Sequence, residues 1–66
     1  MQTLCSFSLE SQTQDDGSPV IAWFIVPVGD NNGEPIAGGF CLTPADARSD
    51  ARIWLAAHPL FSVASL

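Results

Sequence analysis

Apolar positions along the chain first alternate with polar ones, then run together, and finally recur at helical spacing. Between Thr3 and Leu9 the odd positions Cys5, Phe7 and Leu9 are apolar with Ser6 and Ser8 between them, the period of two of a half-buried strand; Leu4 departs from it. Val20 to Val28 is apolar throughout and rich in β-branched and aromatic residues, which predicts a central strand covered on both faces. Pro27 has no amide hydrogen for a ladder and therefore belongs near the end of that strand. Ile36 to Leu42 predicts a third strand, in which Gly38-Gly39 permits a bulge or the close approach of another group.

Turn-forming residues separate these runs. Gln12 to Pro19 contains Asp16-Gly17, and Gly29 to Pro35 contains Asn32-Gly33, dipeptides that suit two-residue type I′ hairpins because both central residues tolerate positive φ. Turns centred there set Phe7 opposite Val26, Leu9 opposite Phe24, and Phe24 opposite Cys41, one consistent apolar face. The other face then carries Trp23, Ile25, Phe40 and Leu42. One helix covers only one side of such a sheet, so either the tail from Leu60 to Leu66 folds under the second face or that face is an exposed patch for dimerisation or partner binding.

The helix start is the strongest local signal. Thr43 caps it, Pro44 suits its first position, and Asp46 stands where a carboxylate completes a capping-box-like start at the positive end of the dipole. Ala47, Ala51, Trp54, Leu55 and His58 form one face, Asp46, Ser49 and Asp50 lie away from it, and Pro59 marks the end. Leu60 to Leu66 is apolar enough to pack, and its pattern leaves open whether it forms a short fourth strand. Residues 1–66 thus read as a single small α+β domain: a three-stranded antiparallel meander, one helix, and room for a terminal strand.

Charge refines this picture. The chain has no lysine, and Arg48 and Arg52 face seven carboxylates for a formal net charge of −5, which disfavours direct nucleic-acid binding and suits a basic protein partner. The meander gathers Glu10, Asp15, Asp16, Asp46 and Asp50 at the pole where the first turn meets the helix start. Each aspartate also has an ordinary role as a turn or cap residue; their convergence is the less ordinary feature.

Catalytic and metal chemistry find little support. His58, the only histidine, sits at the helix end without a neighbouring nucleophile and orienting acid, so packing with a hydrogen bond is its expected role and no enzyme activity is expected. Cys5 and Cys41 lie on the first and third strands, roughly 9–10 Å apart at ~4.8 Å per strand, too far for a disulfide. No Cys or His pair has zinc spacing, Asp30 to Glu34 lacks the ligand spacing of a calcium loop, and no cofactor is expected. The chain opens at Met1-Gln2-Thr3 without a basic and apolar leader, and Val20 to Val28 is far short of the ~20 residues a helix needs to span a bilayer, so the expectation is a cytoplasmic protein that does not engage membranes.

From Leu4 to roughly Ala57 the order of elements resembles the half-domain fold of HicB-type antitoxins, a meander followed by one helix. That resemblance implies an antitoxin-like or structural module, and the apolar face of Trp23, Ile25, Phe40 and Leu42 read from the register is where two copies of it would pair. In size, acidity and lack of a catalytic constellation the chain is similar to small phage-encoded inhibitors of host defence, including anti-CRISPR proteins. This second likeness implies a non-catalytic inhibitor in a bacterial cytoplasm. Its Glu10, Asp15, Asp16, Asp46 and Asp50 would imitate phosphate charge and occlude a basic nucleic-acid-binding surface of a host protein or nucleoprotein complex.

Overall fold

The computed structural model describes residues 2–29, 33–64 and 66. Its elements are β1 (Thr3–Thr13), β2 (Pro19–Pro27), β3 (Ala37–Cys41), α1 (Pro44–Ala57) and β4 (Phe61–Val63), an α+β fold. The sheet order is β3-β2-β1-β4, with β1 and β3 antiparallel to β2. The short β4 pairs in parallel with β1, Thr3 opposite Phe61 and Cys5 opposite Val63, so the sheet is mixed and α1 carries the chain from one sheet edge to the other.

The first hairpin differs from the expected turn by one residue. Gln14 N–H donates to the Ser18 carbonyl at 2.9 Å and Gly17 N–H to the Gln14 carbonyl at 2.9 Å, so Asp15, Asp16 and Gly17 form a three-residue loop. Gly17 alone takes a positive φ there, +87°, as in a type I turn closed by a left-handed glycine. Adding one residue to the loop slides the ladder by one, and Phe7 pairs with Ile25 and Leu9 with Trp23. In the second hairpin Trp23 pairs with Gly39 and Ile21 with Cys41, again unlike the expected register; Asn32 of its expected turn, with Asp30 and Asn31, lies outside the described residues.

Both corrections turn β2 over relative to its neighbours. Trp23 and Ile25, expected on the second face beside Phe40, instead share a face with Cys5, Phe7, Gly39 and Cys41, and that is the face α1 covers. The core is Cys5, Trp23, Ile25, Ala47 and Ala51, with Ile25 and both alanines fully buried. Small residues at 47 and 51, one helical turn apart, bring the helix backbone close to the sheet. Phe7 stacks on Trp23 with ring centroids 6.4 Å apart.

Thr43 is the helix N-cap, its extended backbone (φ −134°, ψ 155°) letting Oγ1 accept from Asp46 N–H at 3.2 Å, with Pro44 following. At the other end His58 N–H donates to the Leu55 carbonyl. The tail then packs on the helix side: Phe61 meets Trp54 with centroids 5.6 Å apart, and Phe61, Val63 and Leu66 pack against the core. It does not fold under the second face, where Leu4 is 52 % and Phe40 67 % exposed beside half-buried Phe24 and Val26.

Candidate functional site

The end of the molecule where β3 gives way to α1 collects most of the unusual side chains. Because α1 starts at the end of β3 and runs back along it, Asp50 lies beside Cys41, whose Sγ–H donates to Asp50 Oδ2 at 3.0 Å. Asp50 was expected on the outward face of the helix; it is exposed but turned toward the sheet. Its hydrogen bond and negative charge, together with Asp46 and partial desolvation, push the Cys41 thiol up to about 11, so Cys41 stays protonated at neutral pH. Cys5, buried under the helix, is also raised by desolvation. Both cysteines are free.

Gly39 faces the same group. The Trp23 indole lies across it so closely that a Cβ at position 39 would stand 2.8 Å from Nε1. The indole nitrogen is buried and has no acceptor in hydrogen-bond geometry among the described residues, although its proximity to the Cys41 sulfur offsets part of the rise in the thiol. Beside it, between β3 and α1, opens a cleft of about 510 Å³. Gly38, Gly39 and Phe40 form one wall, Ile53, Trp54, Ala57 and His58 the other, and among the described residues Asp50 is its one carboxylate. His58 is held in place by stacking on Trp54 (centroids 4.1 Å, planes 13° apart) and by Nδ1 at 2.8 Å from the Trp54 carbonyl, the helix-end hydrogen bond expected of it.

The five predicted acidic residues share one end of the fold but not one cluster. Asp46 and Asp50 flank Cys41 on the helix side. Asp15 and Asp16 sit at the tip of the β1–β2 hairpin, which continues past the end of β3 by the pairs Gln12–Val20 and Thr13–Pro19 and the loop, about 10 Å at ~3.3 Å per residue. Glu10 pairs with Ala22 on the opposite sheet face from α1, so the expected convergence of all five is corrected to three separate positions. Asp16 is itself engaged, its Oδ1 accepting from Ser18 N–H at 2.9 Å and Ser18 Oγ–H at 2.6 Å, bonds that hold its carboxyl below the usual range. Turn chemistry and charge display therefore coexist at this residue.

The predicted apolar interface is split as well. Trp23 and Ile25 are buried beneath the helix, while Phe40 and the exposed Leu42 remain available. What sequence reasoning missed is the cleft, built by Asp50, Ile53 and Ala57 against two glycines; its signal was the Gly38-Gly39 pair, which permits a close approach. Among the described residues no group of three His, Cys, Asp or Glu side chains is placed to hold a metal, and no helix is long and apolar enough to cross a membrane. No family model matches the chain, and the searches found no significantly similar curated protein or solved structure.

Proposed function

We propose that the chain is a non-catalytic binding protein that masks a basic, nucleic-acid-binding surface of a host protein, in the manner of small acidic phage-encoded inhibitors such as anti-CRISPR proteins. The observation that carries this reading is the placing of Asp15 and Asp16 on a protruding hairpin, with Asp46 and Asp50 set back on the same end, in a chain of net charge −5 without lysine. Two separated acidic groups suit a basic groove, in which the tip enters and the helix start meets the rim. Such binding is steered by charge and weakens with salt.

The test is capture from a bacterial lysate by the immobilised chain, with Asp15→Lys/Asp16→Lys as control, followed by competition with nucleic acid for the captured protein. The reading expects a basic protein that is released by salt, lost in the double variant and displaced from nucleic acid by the wild-type chain. Equal capture by both chains would dispose of it.

A second reading, a homodimeric HicB-like antitoxin or structural module, is favoured by one observation: the second sheet face exposes Leu4 and Phe40 beside Phe24 and Val26. It places the interface on these residues and not on Trp23 and Ile25. Sedimentation at two concentrations and two ionic strengths separates the readings, since this one expects salt-insensitive self-association that Phe40→Lys abolishes.

A further inference from the structure

We infer that the outer edge of β3, with the cleft between β3 and α1 beside it, is a docking site for an extended segment of a partner protein that adds as a strand. The segment would place a basic side chain next to Asp50 and an apolar one between Ile53 and Ala57. The inference goes beyond the acidic-tip reading and uses none of the tip residues.

Sheet edges are usually guarded by charge, proline or a covering element, because their free N–H and C=O groups invite another strand. The segment Ala37-Gly38-Gly39-Phe40-Cys41 carries neither charge nor proline, and β2 is its only strand neighbour among the described residues. Large apolar side chains gather around it: Phe40 and, across the cleft, Ile53 are both 67 % exposed. An added strand would lie about 4.8 Å beyond β3, and alternate side chains would turn toward the helix. On the helix side Gly39 adds no side chain of its own and the Trp23 indole lying over it forms the floor, so incoming side chains meet the cleft between that indole and α1. This is strand addition in which backbone bonds give affinity and a neighbouring pocket gives selectivity.

Charge and shape decide the occupant. Among the described residues Asp50 is the single carboxylate lining the cleft and no Arg lines it, so a cation on the incoming strand has a partner and an anion is repelled. Because Asp50 stands level with Cys41 while Ile53 and Ala57 stand further along toward Gly38, the basic side chain and the apolar one fall on successive helix-facing positions. A second copy of this chain pairing through its own β3 offers neither feature: that strand has no cation, and the residues on its helix-side face, Ala37, Gly39 and Cys41, are all small.

The test uses synthetic peptides of about eight residues, alternating valine and threonine, with arginine, serine or glutamate at one central position. Binding is followed by tryptophan fluorescence and by hydrogen exchange of β3 amides in the intact chain. The arginine peptide is expected to bind, to slow exchange at Gly38 to Cys41, and to bind at least about fivefold more tightly than the glutamate peptide. Ala57→Trp, which fills the cleft, should abolish binding; should that variant fail to fold, Ile53→Lys at an exposed position serves the same purpose, since it removes the apolar wall and repels the arginine. The inference is overturned if no peptide protects β3, if protection maps to the second sheet face or to β4, or if the β3 edge proves to be occupied by a second copy. Asp15→Lys/Asp16→Lys should bind the arginine peptide like wild type, so loss of peptide binding in the cleft variants and loss of host-protein capture in the tip variant report on separate claims.

Discussion

Gly39 and Cys41 show how single residues set the conditions for the cleft. At position 39 the cross-strand indole of Trp23 occupies the space a side chain would need, and Trp23 is itself only 5 % exposed. Gly39→Ala should therefore destabilise the fold by about 1–3 kcal/mol, the usual cost of overpacking, read as a lower urea midpoint at unchanged slope. At Cys41 the sign of the pH effect follows from the proton the folded thiol holds. Its pKa is raised from 9.0 to about 11, chiefly by Asp50, so its contribution to stability is complete below the ordinary thiol range and is lost as pH rises through the folded value. In a Cys5→Ala background, thiolate absorbance should titrate near 11, and Asp50→Asn should move the midpoint down toward 9. A midpoint unmoved by the substitution would remove Asp50 as the cause.

At the scale of elements, the loop between β1 and β2 carries the most information per residue. Gly17 holds φ at +87°, a region L side chains rarely adopt, so Gly17→Ala should cost about 1 kcal/mol in thermal or urea unfolding, and Gly17→Asn less. The helix was legible in the sequence because Thr43, Pro44 and Asp46 act locally, through one hydrogen bond and one fixed dihedral. The strands were legible from their apolar rhythm, although β1 runs on to Thr13 and makes the hairpin longer than its apolar stretch. Register was not legible, because Asp15-Asp16-Gly17 satisfies both a two-residue turn on Asp16-Gly17 and a three-residue loop ending on a left-handed glycine. The two differ by one residue, and in a strand one residue exchanges the faces. The predicted apolar face mixed buried Trp23 and Ile25 with exposed Phe40 because the β2–β3 register also differs, Cys41 pairing with Ile21 and not Phe24, a three-residue and therefore likewise face-exchanging difference. The cleft was invisible for a different reason, since it depends on which helix turn lies beside β3.

For the molecule as a whole, the register of β2 decides what is available for binding. With Trp23 and Ile25 inward, α1 and the tail spend their apolar side chains on one face, leaving the other face, the β3 edge and the acidic hairpin tip exposed. At 43 × 25 × 17 Å the fold is drawn out along the hairpin, which sets the tip apart from the cleft. A chain of this size buries only ~60 % of its unfolded surface, and additional burial against a partner would add to a marginal stability. The most direct check is the pattern of cross-strand proton contacts between β1 and β2 in solution, measured by nuclear Overhauser effects. Backbone contacts of Phe7 with Ile25 and of Leu9 with Trp23 are expected. Contacts of Phe7 with Val26 and of Leu9 with Phe24 in their place would set Trp23 and Ile25 on the face opposite Cys5 and Phe7 and contradict the shared core face from which the cleft and its neighbouring surfaces follow.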